Sequence, residues 1–101
     1  MRFAARTDAN QAGIVAILKQ LGCSVQDLSA VGQGCPDLLV GVGGTNLLLE
    51  IKDGEKAASR RDLTPAQKLW HANWTGKVHT VKSIEEVLDL VAYYRGRLRR
   101  A

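Results

Sequence analysis

The chain has 101 residues, enough for one small domain with a single core and little to spare, and its 46% apolar and 24% charged content is that of an ordinary soluble globular protein. No apolar run approaches the length of a membrane span and the N-terminus carries no hydrophobic signal segment, so the sequence argues against a membrane protein and for a cytoplasmic one. A net charge of +4 favours an anionic partner such as nucleic acid, and Cys23 and Cys35 lack both metal-ligand spacing and the number needed for a disulfide framework, which sets aside zinc sites.

The first element is a helix over Asp8 to Leu21. Ile14, Ile17, Leu18 and Leu21 recur at i, i+3, i+4 and i+7 as one apolar stripe; Asp8 or Asn10 caps the start and Gly22 stops the end. Cys23 to Val31 is a short, moderately β-prone segment, expected as a first strand antiparallel to the next. Gly32-Gln33-Gly34 then turns the chain into Pro36, which has no N–H to give a ladder and suits the start of a strand. Glycines there also permit a close approach by a phosphate backbone.

Pro36 to Lys52 is the centre of the sequence. Two apolar runs flank Gly43-Gly44, a tight-turn signal because both central residues need positive φ, and the turn sets opposing residues whose numbers sum to 87. One face of that hairpin is Leu38, Val40, Val42, Leu47, Leu49 and Ile51; the other is Asp37, Leu39, Gly41, Asn46, Leu48, Glu50 and Lys52. Asp37 is expected opposite Glu50, β-carbons roughly 5 Å apart, and facing like charges destabilise a sheet unless something positive sits between them. A divalent cation, Mg²⁺ or Mn²⁺, suits carboxylate oxygens; Lys52 is the competing candidate, and the two are compatible.

The polar loop Asp53 to Asp62 brings Lys56, Arg60 and Arg61 to the acidic end of the sheet, where with Lys68 they form a candidate phosphate clamp; a solvated charged loop is the plain alternative. Thr64-Pro65 starts a helix to about Trp74, with Thr as N-cap, Leu69 and Trp70 as apolar contacts and Gly76 as its end. Lys77 to Val81 is a fourth strand. Ser83 and Glu86 have capping-box spacing before a helix whose expected core stripe is Ile84, Val87, Leu88 and Val91. Arg95 to Arg100 is a basic tail, expected to be disordered without a ligand. The reading is a single domain over 1–101, core about 8–91 and basic tail 95–101, of α/β class with a mixed β-sheet flanked by helices in the order αβββαβα.

Several of these segments carry a resemblance. Gly34-Cys35-Pro36-Asp37, then twelve residues, then Glu50-Ile51-Lys52 resembles the PD-(D/E)XK nuclease motif. Asp62 to Gln67, Trp70 and His71, Gly76, and Val78 to Val81 before Ser83 resemble the VRR-NUC branch of that superfamily, so that the similarity runs from about Asp8 to Val91. The resemblance implies a restriction-endonuclease-like core and metal-assisted phosphodiester hydrolysis. Asp37, Glu50 and the Ile51 backbone carbonyl would hold Mg²⁺ or Mn²⁺. Lys52 would orient water or stabilise charge on phosphorus, and Gln67 would orient water or bind a phosphate oxygen. Family members often carry a first-helix glutamate where this chain has Gln11, whose amide can still accept from a metal-bound water; Asp8 is one alternative, and a plain polar residue in a first helical turn is the other reading of Gln11. The resemblance further implies branched DNA such as a Holliday junction as substrate and a homodimer, with no small-molecule cofactor. The competing readings are a catalytically inactive DNA-binding module of the same fold and an interaction domain in which Asp37, Glu50 and Lys52 form an ion-pair cluster.

Overall fold

The computed structural model describes residues 10–53 and 62–100, excepting the side chains of 97–100; the expectations for Asp8, Lys56, Arg60 and Arg61 lie outside the described residues. The elements are α1 (Gln11–Gln20), β1 (Ser24–Asp27), β2 (Leu38–Val42), β3 (Thr45–Ile51), α2 (Pro65–Asn73), β4 (Val78–Val81) and α3 (Ile84–Arg100), the expected αβββαβα order. Strands lie in the order β1-β2-β3-β4; the first two pairings are antiparallel and β3 pairs β4 in parallel, so the sheet is mixed. The parallel step is the one bridged by a helix, because two parallel neighbours cannot be joined by a tight turn.

The β2–β3 hairpin folds as its glycines demand. Gly43 and Gly44 have φ of 53° and 87°, and the register runs Val42↔Thr45 through Leu38↔Leu49. Leu38, Val40, Val42, Leu47, Leu49 and Ile51 are all buried on one sheet face, against Ile14 and Leu18 of α1 and Val87, Val91 and Tyr94 of α3. The α3 stripe differs from its sequence expectation: Ile84 and Leu88 are 37% and 40% exposed, and burial follows Val87, Val91 and Tyr94 instead. Tyr94 fixes that rotation, since its hydroxyl lies 2.7 Å from Nε2 of His79 on β4.

The ends of elements show which polar groups compete. β1 is shorter than Cys23 to Val31 because Asp27 Oδ1 accepts from the Ser29 N–H (2.8 Å) and hydroxyl (2.5 Å), a local turn that closes the strand. Asn10 stands at the α1 N-cap position but makes no cap bond; its amide donates to the carbonyls of Lys52 and Lys82, each at 3.2 Å, tying the helix start to the ends of β3 and β4. Gly22 (φ 84°) stops α1 as expected, with Gly22 N–H on Lys19 O and Cys23 N–H on Leu18 O, both 3.0 Å. The Arg95 guanidinium donates to the Leu21 carbonyl at that same helix end. The basic segment is therefore part of α3 through Arg100 rather than a disordered tail, as arginine's good helix propensity allows. Before α3, Glu86 N–H donates to Ser83 Oγ (3.2 Å), while Glu86 Oε1 accepts from Lys82 N–H (2.7 Å), one residue earlier than a capping box would place it.

Candidate functional site

The site is built where β2 begins and β3 ends. Pro36 has no N–H, and at Asp37 the ladder departs from the expected register: Asp37 N–H donates to Leu49 O (3.0 Å), and its carbonyl accepts from Leu28 N–H (2.7 Å). The backbone donor of Ile51 is taken up by Asp37 Oδ2 at 2.8 Å. Asp37 therefore does not simply face Glu50 across the ladder; its carboxylate substitutes for the missing ladder acceptor.

Glu50 and Lys52 point to the other sheet face, and α2 covers it more completely than the sequence implied. Glu50 is 2% exposed and Lys52 8%. Gln67 is one reason for that burial. Its Nε2 donates to Glu50 Oε2 (3.0 Å), its Oε1 accepts from Thr64 N–H (2.9 Å), and its own N–H donates to Thr64 Oγ1 (3.2 Å). Thr64 and Gln67 are a full capping box with Pro65 in the first turn. One amide thus locks the helix start and grips the carboxylate. The Thr-x-x-Gln spacing was present in the sequence as a cap signal; the contact to Glu50 was not, since it depends on how α2 docks.

That docking requires Gly34, whose φ is 85° and where an added Cβ would lie 2.4 Å from the Ala66 carbonyl oxygen. The close approach made possible by this glycine is to the first turn of α2. No residue of α2 is buried, and Leu69, expected as its apolar contact, is 66% exposed.

Both acids act on one neighbour. The Cys35 thiol has its pKa raised by burial and then by the negative charges of Glu50 and Asp37. On the helix side, burial and then the Lys52 ammonium lower the pKa of His71, which keeps its ring neutral near pH 7. His71 Nε2 is buried with no hydrogen-bond partner among the described residues. Gln11 is 6% exposed, and its Oε1 is likewise buried without such a partner. Lys68 lies exposed on α2.

No three His, Cys, Asp or Glu side chains cluster as metal ligands among the described residues. The oxygen set is smaller: the Asp37 and Glu50 carboxylates and the Ile51 carbonyl. Leu48 and Lys52 N–H groups donate to Lys77 O (3.0 Å), just before β4, and to Val81 O (2.9 Å) on it, so the intervening Ile51 directs its N–H, and with it its C=O, toward Asp37. Two hard carboxylates and a carbonyl fit a Mg²⁺-type ion, which keeps several waters and is held through one or two carboxylates.

A mixed sheet with α1 and α3 on one face, α2 on the other, and an acid–acid–lysine set at the hairpin's open end defines a restriction-endonuclease-like α/β domain. A solved structure described as a VRR_NUC domain is similar to this chain with a TM-score of 0.63 and 29% sequence identity, over 83% of this chain and 91% of that one. No family model and no curated protein matches the sequence. The structural likeness supports a nuclease-type domain of the VRR-NUC kind.

Proposed function

We propose that this domain is a Mg²⁺- or Mn²⁺-dependent DNA endonuclease of the cytoplasm, acting on branched DNA such as Holliday junctions as a homodimer. The observation that carries the reading is the convergence of Asp37, Glu50 and Lys52 at one end of the β2–β3 hairpin, with Glu50 buried and held by Gln67. Asp37, Glu50 and the Ile51 carbonyl would hold the ion. A divalent ion there supplies Lewis acidity toward phosphate and water.

The chain's own residues do the rest. The Ile51 N–H fixes one oxygen of Asp37, and Gln67 fixes one oxygen of Glu50, so both carboxylates are oriented before substrate arrives. Lys52 places a compact cation on the Glu50 side of the strand, where it orients water and stabilises charge developing on phosphorus. Gln11 would act through a metal-bound water. Lys56, Arg60, Arg61 and Lys68 are proposed to contact phosphates and carry no sequence readout.

Cleavage assays on synthetic junctions, flaps and duplexes with each metal test the reading. Metal-dependent cutting that falls by at least on the order of 10²-fold in Lys52→Ala is expected. An inactive binding module would shift DNA without cutting it, and an interaction domain would do neither.

A further inference from the structure

Both tryptophans of the chain stand together at the end of α2, Trp70 in its last turn and Trp74 at its C-cap. Trp70 and Trp74 stack with ring centroids 4.6 Å apart and planes 19° from parallel, and Trp74 is 47% exposed. Between them and the sheet is a cavity of about 360 Å³, floored by Leu39 and Leu48, bounded by Cys35, and rimmed by the polar groups of Asn46 and Lys77. Gly76 shapes its wall, since a Cβ there would lie 2.9 Å from Trp74 Nε1.

We infer that this cavity takes an unpaired nucleobase, stacked on the Trp70–Trp74 pair, from a DNA strand whose phosphate lies at the carboxylate cluster. The inference rests on the nuclease-type reading and deepens it by naming the substrate feature: a single-stranded element beside the cleavage point. Three observations converge. A flat indole face offers stacking to any base, irrespective of sequence. Lys77 at the rim, in a chain of net charge +4, complements the strand's phosphates, and the Asn46 amide can meet a base edge.

The cavity also lies close to the candidate site along β3. Leu48 is two residues from Glu50 on the same strand face, about 7 Å along β3, and Cys35, on the cavity wall, feels both Glu50 and Asp37. Trp74 packs on Trp70 rather than in the core, so its exposure has no folding role to explain it.

The two tryptophans make the test direct, because both line this cavity and tryptophan emission reports on them. The full chain is titrated with single-stranded oligothymidylate and with blunt duplex of equal length, in EDTA so that no cleavage intervenes. Saturable quenching by the single strand is expected. Trp74→Ala should weaken single-strand affinity about tenfold, since stacking contributes about 1–3 kcal/mol per base, with duplex affinity unchanged and Trp74→Phe restoring most of the loss. Equal responses to the two DNAs, or unchanged single-strand affinity in Trp74→Ala, would overturn the inference. So would emission that shifts with protein concentration without DNA, accompanied by dimer sedimentation, which would assign the patch to a second copy of the chain. Quenching without metal-dependent cleavage would remove the nuclease reading and keep the base site; cleavage without quenching would do the reverse.

Discussion

Gln67 can be set against itself. In Gln67→Ala both side-chain bonds disappear: the donor to a carboxylate, worth about 1.5–3 kcal/mol when the partner is charged, and the return half of the capping box, worth a few tenths to about 1 kcal/mol at an exposed helix start. Because Gln67 is itself only half-buried, a loss of about 2 kcal/mol is expected. With a urea m-value of about 1–3 kcal/mol/M for a small protein, the midpoint falls by about 1 M.

Gln67→Glu separates the two roles by sign. The new carboxylate still accepts from Thr64 N–H and adds a negative charge to the first turn of α2, which favours the helix by about 0.3–1 kcal/mol. It also replaces the donor to Glu50 with a like charge, and two charges about 4 Å apart repel by about 4 kcal/mol at an effective dielectric near 20. The variant is therefore expected to be less stable than Gln67→Ala at pH 8. Protonating either partner relieves the repulsion. That pair binds protons more tightly folded than unfolded, so its stability is recovered at low pH and lost as pH rises. Urea unfolding followed by tryptophan emission at pH 8 and pH 4.5 measures both effects. A Gln67→Glu protein at least as stable as the parent at pH 8 would refute the reasoning, leaving Gln67 as a helix cap alone.

Asp37 has a structural duty beside its proposed catalytic one: Asp37→Ala leaves the Ile51 N–H without its acceptor and should cost about 1–3 kcal/mol, whereas Asp37→Asn keeps an acceptor, stays near parental stability and still abolishes cleavage. Thermal melts and cleavage assays on the two variants separate these effects. Gly34→Ala combines a left-handed φ, itself unfavourable by about 1–2 kcal/mol for a residue with a Cβ, with a collision against the Ala66 carbonyl; more than about 2 kcal/mol of lost stability is expected in urea, with a loosened α2. The His79 pKa is lowered by burial and then by Lys77, so its contribution to stability is intact above the free value of 6.5 and declines as pH falls through the folded value below it. His79→Gln should flatten the loss of stability between pH 7.5 and 5.5, and an unchanged slope would exclude His79 as its source.

What could be read from the sequence is what depends on neighbours along the chain. Gly43-Gly44 dictated a tight turn, the turn set a register, and the register sorted Leu38 to Ile51 onto two faces as observed. Helix ends marked by Gly22 and by Thr64-Pro65 were equally local. Expectations departed from the structure where a distant partner decided. Ser83 and Glu86 had the spacing of a reciprocal cap, but Glu86 reaches Lys82 instead. Tyr94, absent from the expected α3 stripe, is buried through His79 on another element. Arg95 reads as part of a charged tail until the open carbonyl end of α1 is placed beside it.

The candidate site falls on the boundary between those two kinds of information. Its residue types are local, a short acid–acid–lysine pattern across a hairpin; its preparation is tertiary. The Asp37 carboxylate accepts from the Ile51 N–H, which restricts its rotation. Gly34 admits the first turn of α2, from which Gln67 reaches Glu50. A buried carboxylate is unfavourable unless hydrogen-bonded, so the docking of α2 and the burial of Glu50 stabilise each other. The stability of the helix interface and the geometry of the acidic pair are consequently one property, and changes at Gly34 or Gln67 should disturb both together.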